Sequence, residues 1–225
     1  MADDIFLTPE EQDERARQWL KDNGPALIVG VVLGIGAIFG WDYYKTSQLE
    51  KAEAASTLYA AAVEQVSSSE LADVSTKVDE LKANYATTPY ASKAALIKAR
   101  QLAQSDLDAA FAELQWVIDN AKESGLVHTA RVRQAKIRLE QGDFTAAKQL
   151  ASHQPTEAFT SHYSEVLGDI AVEQGEYIAA RAYYQAAVDG LVEGQSAYAQ
   201  VLSLKLERLP EAESASADNE QSATE

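Results

Sequence analysis

Between Asn23 and Trp41 the chain carries no charged side chain. As a helix, a run of about 19 residues extends roughly 28 Å. That matches a hydrocarbon core of about 30 Å. Core helices of soluble domains rarely run this long without a polar face. Trp41, Tyr43 and Tyr44 close the run, as an interfacial aromatic belt does. Pro25 stands where a helix start tolerates proline, because the first N–H groups have no intrahelical partner.

A cleaved signal sequence needs a short basic leader, a shorter apolar stretch and a small-residue cleavage site. Here residues 1–24 come first, with seven acidic and three basic side chains. The nearest A-x-A is Ala52-Glu53-Ala54, well downstream. The run therefore reads as a retained single-span anchor. Lys and Arg near the ends set orientation. Arg15, Arg17 and Lys21 precede the run, and Lys45 and Lys51 follow it. Three against two votes for a cytoplasmic N-terminus and an exported C-terminal part.

The run holds two small-x-x-x-small pairs, Gly30 with Gly34 and Gly36 with Gly40. Such pairs let membrane helices approach closely, which makes Gly30, Gly34, Gly36 and Gly40 candidate helix-packing residues. Glycine is also common in membrane helices generally, and spacing alone does not choose between these readings.

Charge narrows the remaining function classes. The net charge is −16, and residues 210–225 hold five acidic side chains and no basic one. Such a chain repels phosphate backbones, so nucleic acid is not its partner. There is no cysteine, which removes disulfide and thiolate chemistry. No P-loop, dinucleotide fingerprint, H-E-x-x-H or G-x-S-x-G occurs. The spacing of His128, His153 and His162 matches no metal motif. Nothing proposes a catalytic pair or a cofactor, and the chain reads as a non-enzyme.

After the anchor, apolar residues recur at helical spacing from Leu49 through Ala52, Ala55, Leu58, Tyr59, Ala62 and Val63 to Val66, with no Pro or Gly. The membrane helix is expected to continue unbroken to there. SSSE at 67–70 should end it and cap a second helix over 71–85. TTPY at 87–90 should be a turn, since the residue before proline avoids the helical region.

Three segments then align: SDLDAAFAELQWVI, GDFTAAKQLA and GEYIAARAYYQAAV. Each places a turn residue, an acid and a large apolar residue ahead of an alanine. The large residues Leu107, Phe144 and Tyr177 stand 37 and 33 residues apart. A period near 34 marks helix–turn–helix repeats of the tetratricopeptide type. In the last unit, Gly168 and Ala180 should face each other where two helices cross. Gly175 should permit the tight turn. In the middle unit, HQP at 153–155 comes early, so its second helix should be short. The first unit keeps only Leu107, Ala110 and Leu114 and is degenerate.

Residues 195–209 should form a capping helix, with Tyr198, Val201, Leu202 and Leu206 against the last repeat. The acidic tail 210–225 cannot bury a core and reads as disordered. The fold class is thus all-α: a transmembrane helix, then a tetratricopeptide-like hairpin solenoid with a C-terminal cap. The expected divisions are a cytoplasmic segment 1–23, a membrane helix 24–44, a repeat domain 45–209 and the tail. The first helices of a repeat stack line a concave surface. Helical register assigns that lining to Val132, Lys136, Leu139 and Glu140, then to His162, Glu165, Asp169, Val172 and Glu173. The expected site is a peptide or protein groove with an acidic end.

The order of these features resembles the YfgM-type family of ancillary subunits of the bacterial SecYEG translocon. An acidic N-terminus leads into R-Q-W-L-K-D-N-G-P, a glycine-rich span ends in G-W-D-Y-Y, and repeats follow. Trp19, Asn23, Gly24, the four span glycines and Trp41 carry the resemblance, supported by Gly168, Gly175, Ala180 and Arg181. It implies a single-pass inner-membrane protein of Gram-negative bacteria with its repeat domain in the periplasm. Its implied partners are the SecYEG translocon, the membrane-anchored periplasmic chaperone PpiD and exported client chains. Two other readings stand beside it. One is a scaffold of another envelope complex. The other is a regulator that binds a cytoplasmic stress-response protein through its N-terminal segment.

Overall fold

The computed structural model describes residues 9–66, 71–153 and 156–210. Among these, nine α-helices occur and no strand. The chain divides into two units, Met1–Glu53 and Ala54–Glu225.

Helix α1 spans Pro9–Val66. The expectation of an unbroken helix to Val66 holds at that end. The start is different. Pro25 lies inside α1, not at its first turn. The stretch ahead of it is rich in Glu, Gln, Arg, Ala and Leu, all good helix formers. Arg17 pairs with Asp13 one turn earlier at 3.0 Å, and Glu10 and Glu11 occupy the first turn. Pro25 still removes one backbone donor from the interior. Beside it, the Asn23 amide donates to the Trp19 carbonyl at 2.9 Å. The most apolar stretch of α1 is long enough to cross a membrane, and none of it is buried.

In the second unit, the end of α1 contributes Ala55 and Ala62, both essentially buried. Leu58 and Tyr59 are half-buried beside them, whereas Val63 and Val66 remain exposed. The next helices are α2 (Leu71–Asn84), α3 (Pro89–Leu102) and α4 (Leu107–Asn120). The predicted turn at TTPY is present. Thr88 takes the cap position with extended backbone, and Pro89 opens α3. The expected cap at 67–70 lies outside the described residues.

Three hairpins follow the repeat pattern: α3/α4, α5 (Ser124–Glu140)/α6 (Phe144–Ala151) and α7 (Thr160–Glu173)/α8 (Tyr177–Asp189). A short 3₁₀ turn at Glu157–Phe159 leads into α7. Helix α9 (Ser196–Glu207) ends the series. The first helices α3, α5 and α7 are successive neighbours.

The aligned acids explain themselves as helix caps. Asp106 accepts from the Ala109 N–H at 2.9 Å, and Asp143 accepts from the Ala146 N–H at 3.0 Å. Glu176 holds the same place without a side-chain cap. The turn glycines also have a geometric reason. Gly142 and Gly175 sit at φ +76° and +75°, where a Cβ is strained. After each glycine, the next N–H reaches back to close the helix: Asp143 to the Arg138 carbonyl at 2.9 Å and Glu176 to the Ala171 carbonyl at 2.8 Å. This is the glycine-terminated helix end described for Schellman motifs.

The α3/α4 hairpin is complete despite its degenerate motif. Ala110 and Leu114 are buried in a core shared with Val74, Val78, Leu81, Ala95 and Val117. Helix α6 is short, as expected. The crossing at Gly168 differs from expectation. A side chain there would meet the ring of Tyr184 at 2.5 Å, so the glycine makes room for that ring, and Ala180 packs in the same cluster as Tyr184. In the cap, Leu202 is fully buried and Leu206 packs on the last repeat. Val201 is 45% exposed, contrary to its expected packing. The inward register of α9 is 198, 202, 205 and 206, which turns position 201 aside.

Candidate functional site

The face formed by α5, α7 and α9 is organised around Glu165. Its carboxylate accepts from Lys136 of α5 at 2.9 Å, Tyr198 of α9 at 2.9 Å and Lys205 of α9 at 2.7 Å. Glu165 is only 4% exposed. Burial alone would raise its pKa, but Lys136 and Lys205 outweigh that and hold it at about 2. Lys205 also donates to both oxygens of Asp169, at 2.6 and 2.8 Å. Asp169 in turn accepts from the Tyr184 hydroxyl at 2.7 Å. The glycine at 168 admits the Tyr184 ring, the ring presents its hydroxyl to Asp169, and Asp169 helps to place Lys205.

The acidic end expected of the groove is therefore neutralised from within. Glu165 and Asp169 tie α7 to its neighbours, and a buried carboxylate so paired is not an open anionic surface. His162 stacks on Tyr198 with centroids 4.7 Å apart. Val172 is half-buried against Ala171 and Tyr184, and Glu173 alone of the α7 set is exposed.

On α5 only part of the expected register is open. Val132 is 6% exposed and packs with Ala135, Tyr163 and Val166, and Leu139 joins that cluster. The open face of α5 is instead Arg133, Lys136 and Glu140, with Ile137 beneath them. With Ala99 and Arg100 of α3 and Ala103 just after it, these residues border a cavity of about 360 Å³. Lys136 and Glu140 thus lie where the groove was expected, whereas Arg100 and Arg133 were missed. Arg133 could have been found from its position one turn before Lys136. Arg100 sits in the unit whose repeat motif is weakest.

A second ion-pair set ties the earlier helices. Glu113 of α4, 9% exposed, bonds Lys82 of α2 at 2.8 Å and Lys98 of α3 at 3.0 Å. Lys98 also reaches Asp79 of α2 at 2.7 Å. Burial would lower the pKa of Lys98, but these two carboxylates raise it. His128 is buried against Phe159, with its Nδ1 3.0 Å from the Tyr163 hydroxyl. Burial, with Arg131 and His153 nearby, lowers its pKa. Among the described residues no group of three or more His, Asp or Glu side chains is placed to hold a metal ion.

The span glycines make no close approach within the chain. Around Gly30, Gly34, Gly36 and Gly40 there is open space, with no described atom within 4 Å of an added Cβ. The small size of Gly30 and Gly34, and of Gly36 and Gly40, thus serves no packing within the described residues.

Stacked hairpins with buried small residues between their helices, glycine-ended first helices in the last two units and a terminal cap define a tetratricopeptide-like solenoid, a class that works by presenting surfaces. The chain belongs to the family of the tetratricopeptide repeat-like domain, whose profile matches residues 17–211. A Haemophilus influenzae protein named "Ancillary SecYEG translocon subunit" is 27% identical over 90% of this chain and 98% of its own length. An Escherichia coli protein of the same name is 27% identical over 92% of this chain and 98% of its own. A third of that name, from Aggregatibacter actinomycetemcomitans, is 27% identical over 81% of this chain. These relatives bear out the resemblance read from the sequence. No solved structure matches the chain.

Proposed function

We propose that this chain is a single-span inner-membrane protein that associates with the SecYEG translocon and passes exported chains to periplasmic chaperones, PpiD among them. The observation that carries the reading is one helix, α1, holding an unburied span-length apolar stretch and ending in a repeat solenoid. Relatives of nearly the same length bear the name of a translocon subunit, which supports the same role here. The N-terminus is cytoplasmic and the repeats are periplasmic on this reading, in line with the Lys and Arg flanking the span.

The function is docking, not catalysis. The exposed part of the groove, from Glu140 and Lys136 to Glu173, receives partner or client segments. Gly30, Gly34, Gly36 and Gly40 allow close approach of translocon helices.

Because the chain has no cysteine, single-cysteine variants give a clean test. A crosslinker attached at position 140 should capture SecY or PpiD, and Gly30→Leu with Gly34→Leu should reduce co-purification with the translocon in mild detergent. Crosslinks only to cytoplasmic proteins would sink this reading. Co-purification with a different envelope complex would favour the scaffold alternative. Deleting residues 1–13 separates the regulatory alternative, since docking should survive that deletion.

A further inference from the structure

The cavity between α3 and α5 is positively charged in a chain of net charge −16. Arg100 and Arg133 both border it. Neither has a carboxylate partner among the described residues. Arg133 makes one hydrogen bond, to the Leu96 carbonyl at 3.1 Å. The other cations of the face are placed differently. Lys136 and Lys205 are satisfied by Glu165 and Asp169, and Lys82 and Lys98 by Glu113 and Asp79. Arg133 is partly desolvated, and Arg100 is near enough to add to the lowering of its pKa. Two guanidiniums that border one cavity and lack a carboxylate partner among the described residues offer positive charge that an incoming carboxylate can pair with.

The floor of the cavity is apolar, formed by Ala99, Ala103, Leu114 and Ile137. A bare inorganic anion would leave that surface wet, so the ligand must also bring a hydrocarbon group. Glu140 stands at the rim and has no ion pair among the described residues. It repels a second carboxylate, which favours an isolated acidic residue over an acidic run. The high negative charge of the whole chain disfavours an anionic lipid surface. The row of first helices continues past α5 to α7, so a bound segment need not end at the cavity, and a side-chain carboxylate fits better than a chain terminus.

We propose that Arg100 and Arg133 form a recognition site for an Asp or Glu side chain followed by an apolar residue, presented by an extended segment of a partner polypeptide. The inference deepens the docking role proposed above and rests on it for its biological setting. The binding test itself needs no translocon.

The full chain in detergent micelles is titrated against fluorescein-labelled, C-terminally amidated peptides carrying Glu-Leu pairs between Gly-Ser spacers. Gln-Leu and Glu-Gly versions serve as controls. The Glu-Leu peptide should bind about tenfold more tightly than either control, and raised salt should weaken it. Arg100→Gln, at an exposed position, should remove about tenfold of affinity with no change in thermal unfolding, and Arg100→Lys should restore only part. Equal binding of the Glu-Leu and Gln-Leu peptides would overturn the proposal, as would unchanged affinity in Arg100→Gln. Truncation after Pro210 should leave affinity within about twofold. A gain of about tenfold on truncation would instead assign the site to the chain's own acidic tail. Selective binding without crosslinks to SecY or PpiD would remove the docking role and leave the site. Crosslinks without peptide selectivity would do the reverse.

Discussion

Glu165 is the side chain on which most of the repeat face depends, because two lysines and a tyrosine from adjacent helices converge on it. Replacing Lys205 by Ala leaves Glu165 and Asp169 short of a cation in a largely dry site, and should cost roughly 3 kcal/mol in a denaturant titration. The pH dependence follows from the depressed pKa of Glu165. Its folded value is about 2 against a reference of 4.5. The unfolded chain therefore binds more protons as pH falls below 4.5, and the stabilisation present above that pH is lost on the way to 2. Glu165→Gln should flatten that part of the stability profile. His128 acts at higher pH in the same direction. Its folded pKa lies below 6.5, so acidification through that value favours the unfolded, protonated form. Gly168→Ala tests the packing beneath this network. Its Cβ would press on the Tyr184 ring, and a loss of about 1–3 kcal/mol is expected, along with weaker placement of Lys205.

At the level of elements, the helix ends were legible because their chemistry is local. Asp106 and Asp143, aligned in the sequence only as repeat acids, are side-chain caps, and Gly142 and Gly175 stand where φ turns positive. Gly175→Ala should therefore cost about 1–2 kcal/mol in thermal or denaturant unfolding without altering the helices it joins. The short α6 was legible from the early HQP. What failed was register and partnership. Val132 and Leu139 fit a helical stripe as well as Arg133 and Glu140 do, and only the neighbouring α6 and α7 decide which stripe is inside. Glu165 and Asp169 read as an acidic surface because their cations lie 29 and 36–40 residues away. Pro25 read as a helix start because its local preference is real, yet the helix-forming stretch before it carries α1 through. The α3/α4 hairpin lacks much of the repeat motif but keeps the small residues at its crossing, which is what its packing needs.

For the whole molecule, a span-length apolar stretch precedes a solenoid whose buried carboxylates, Glu113 and Glu165, are paired with lysines from neighbouring helices. The matched family covers residues 17–211, which takes in both the apolar stretch and the repeats, and the relatives align over nearly their full lengths. The docking role requires the repeats to lie on the side of the membrane where exported chains emerge. Protease treatment of spheroplasts tests this most directly. External protease should digest the repeat domain while cytoplasmic markers stay intact, and should leave a fragment containing the span and residues 1–23. A repeat domain protected until the membrane is disrupted would contradict it.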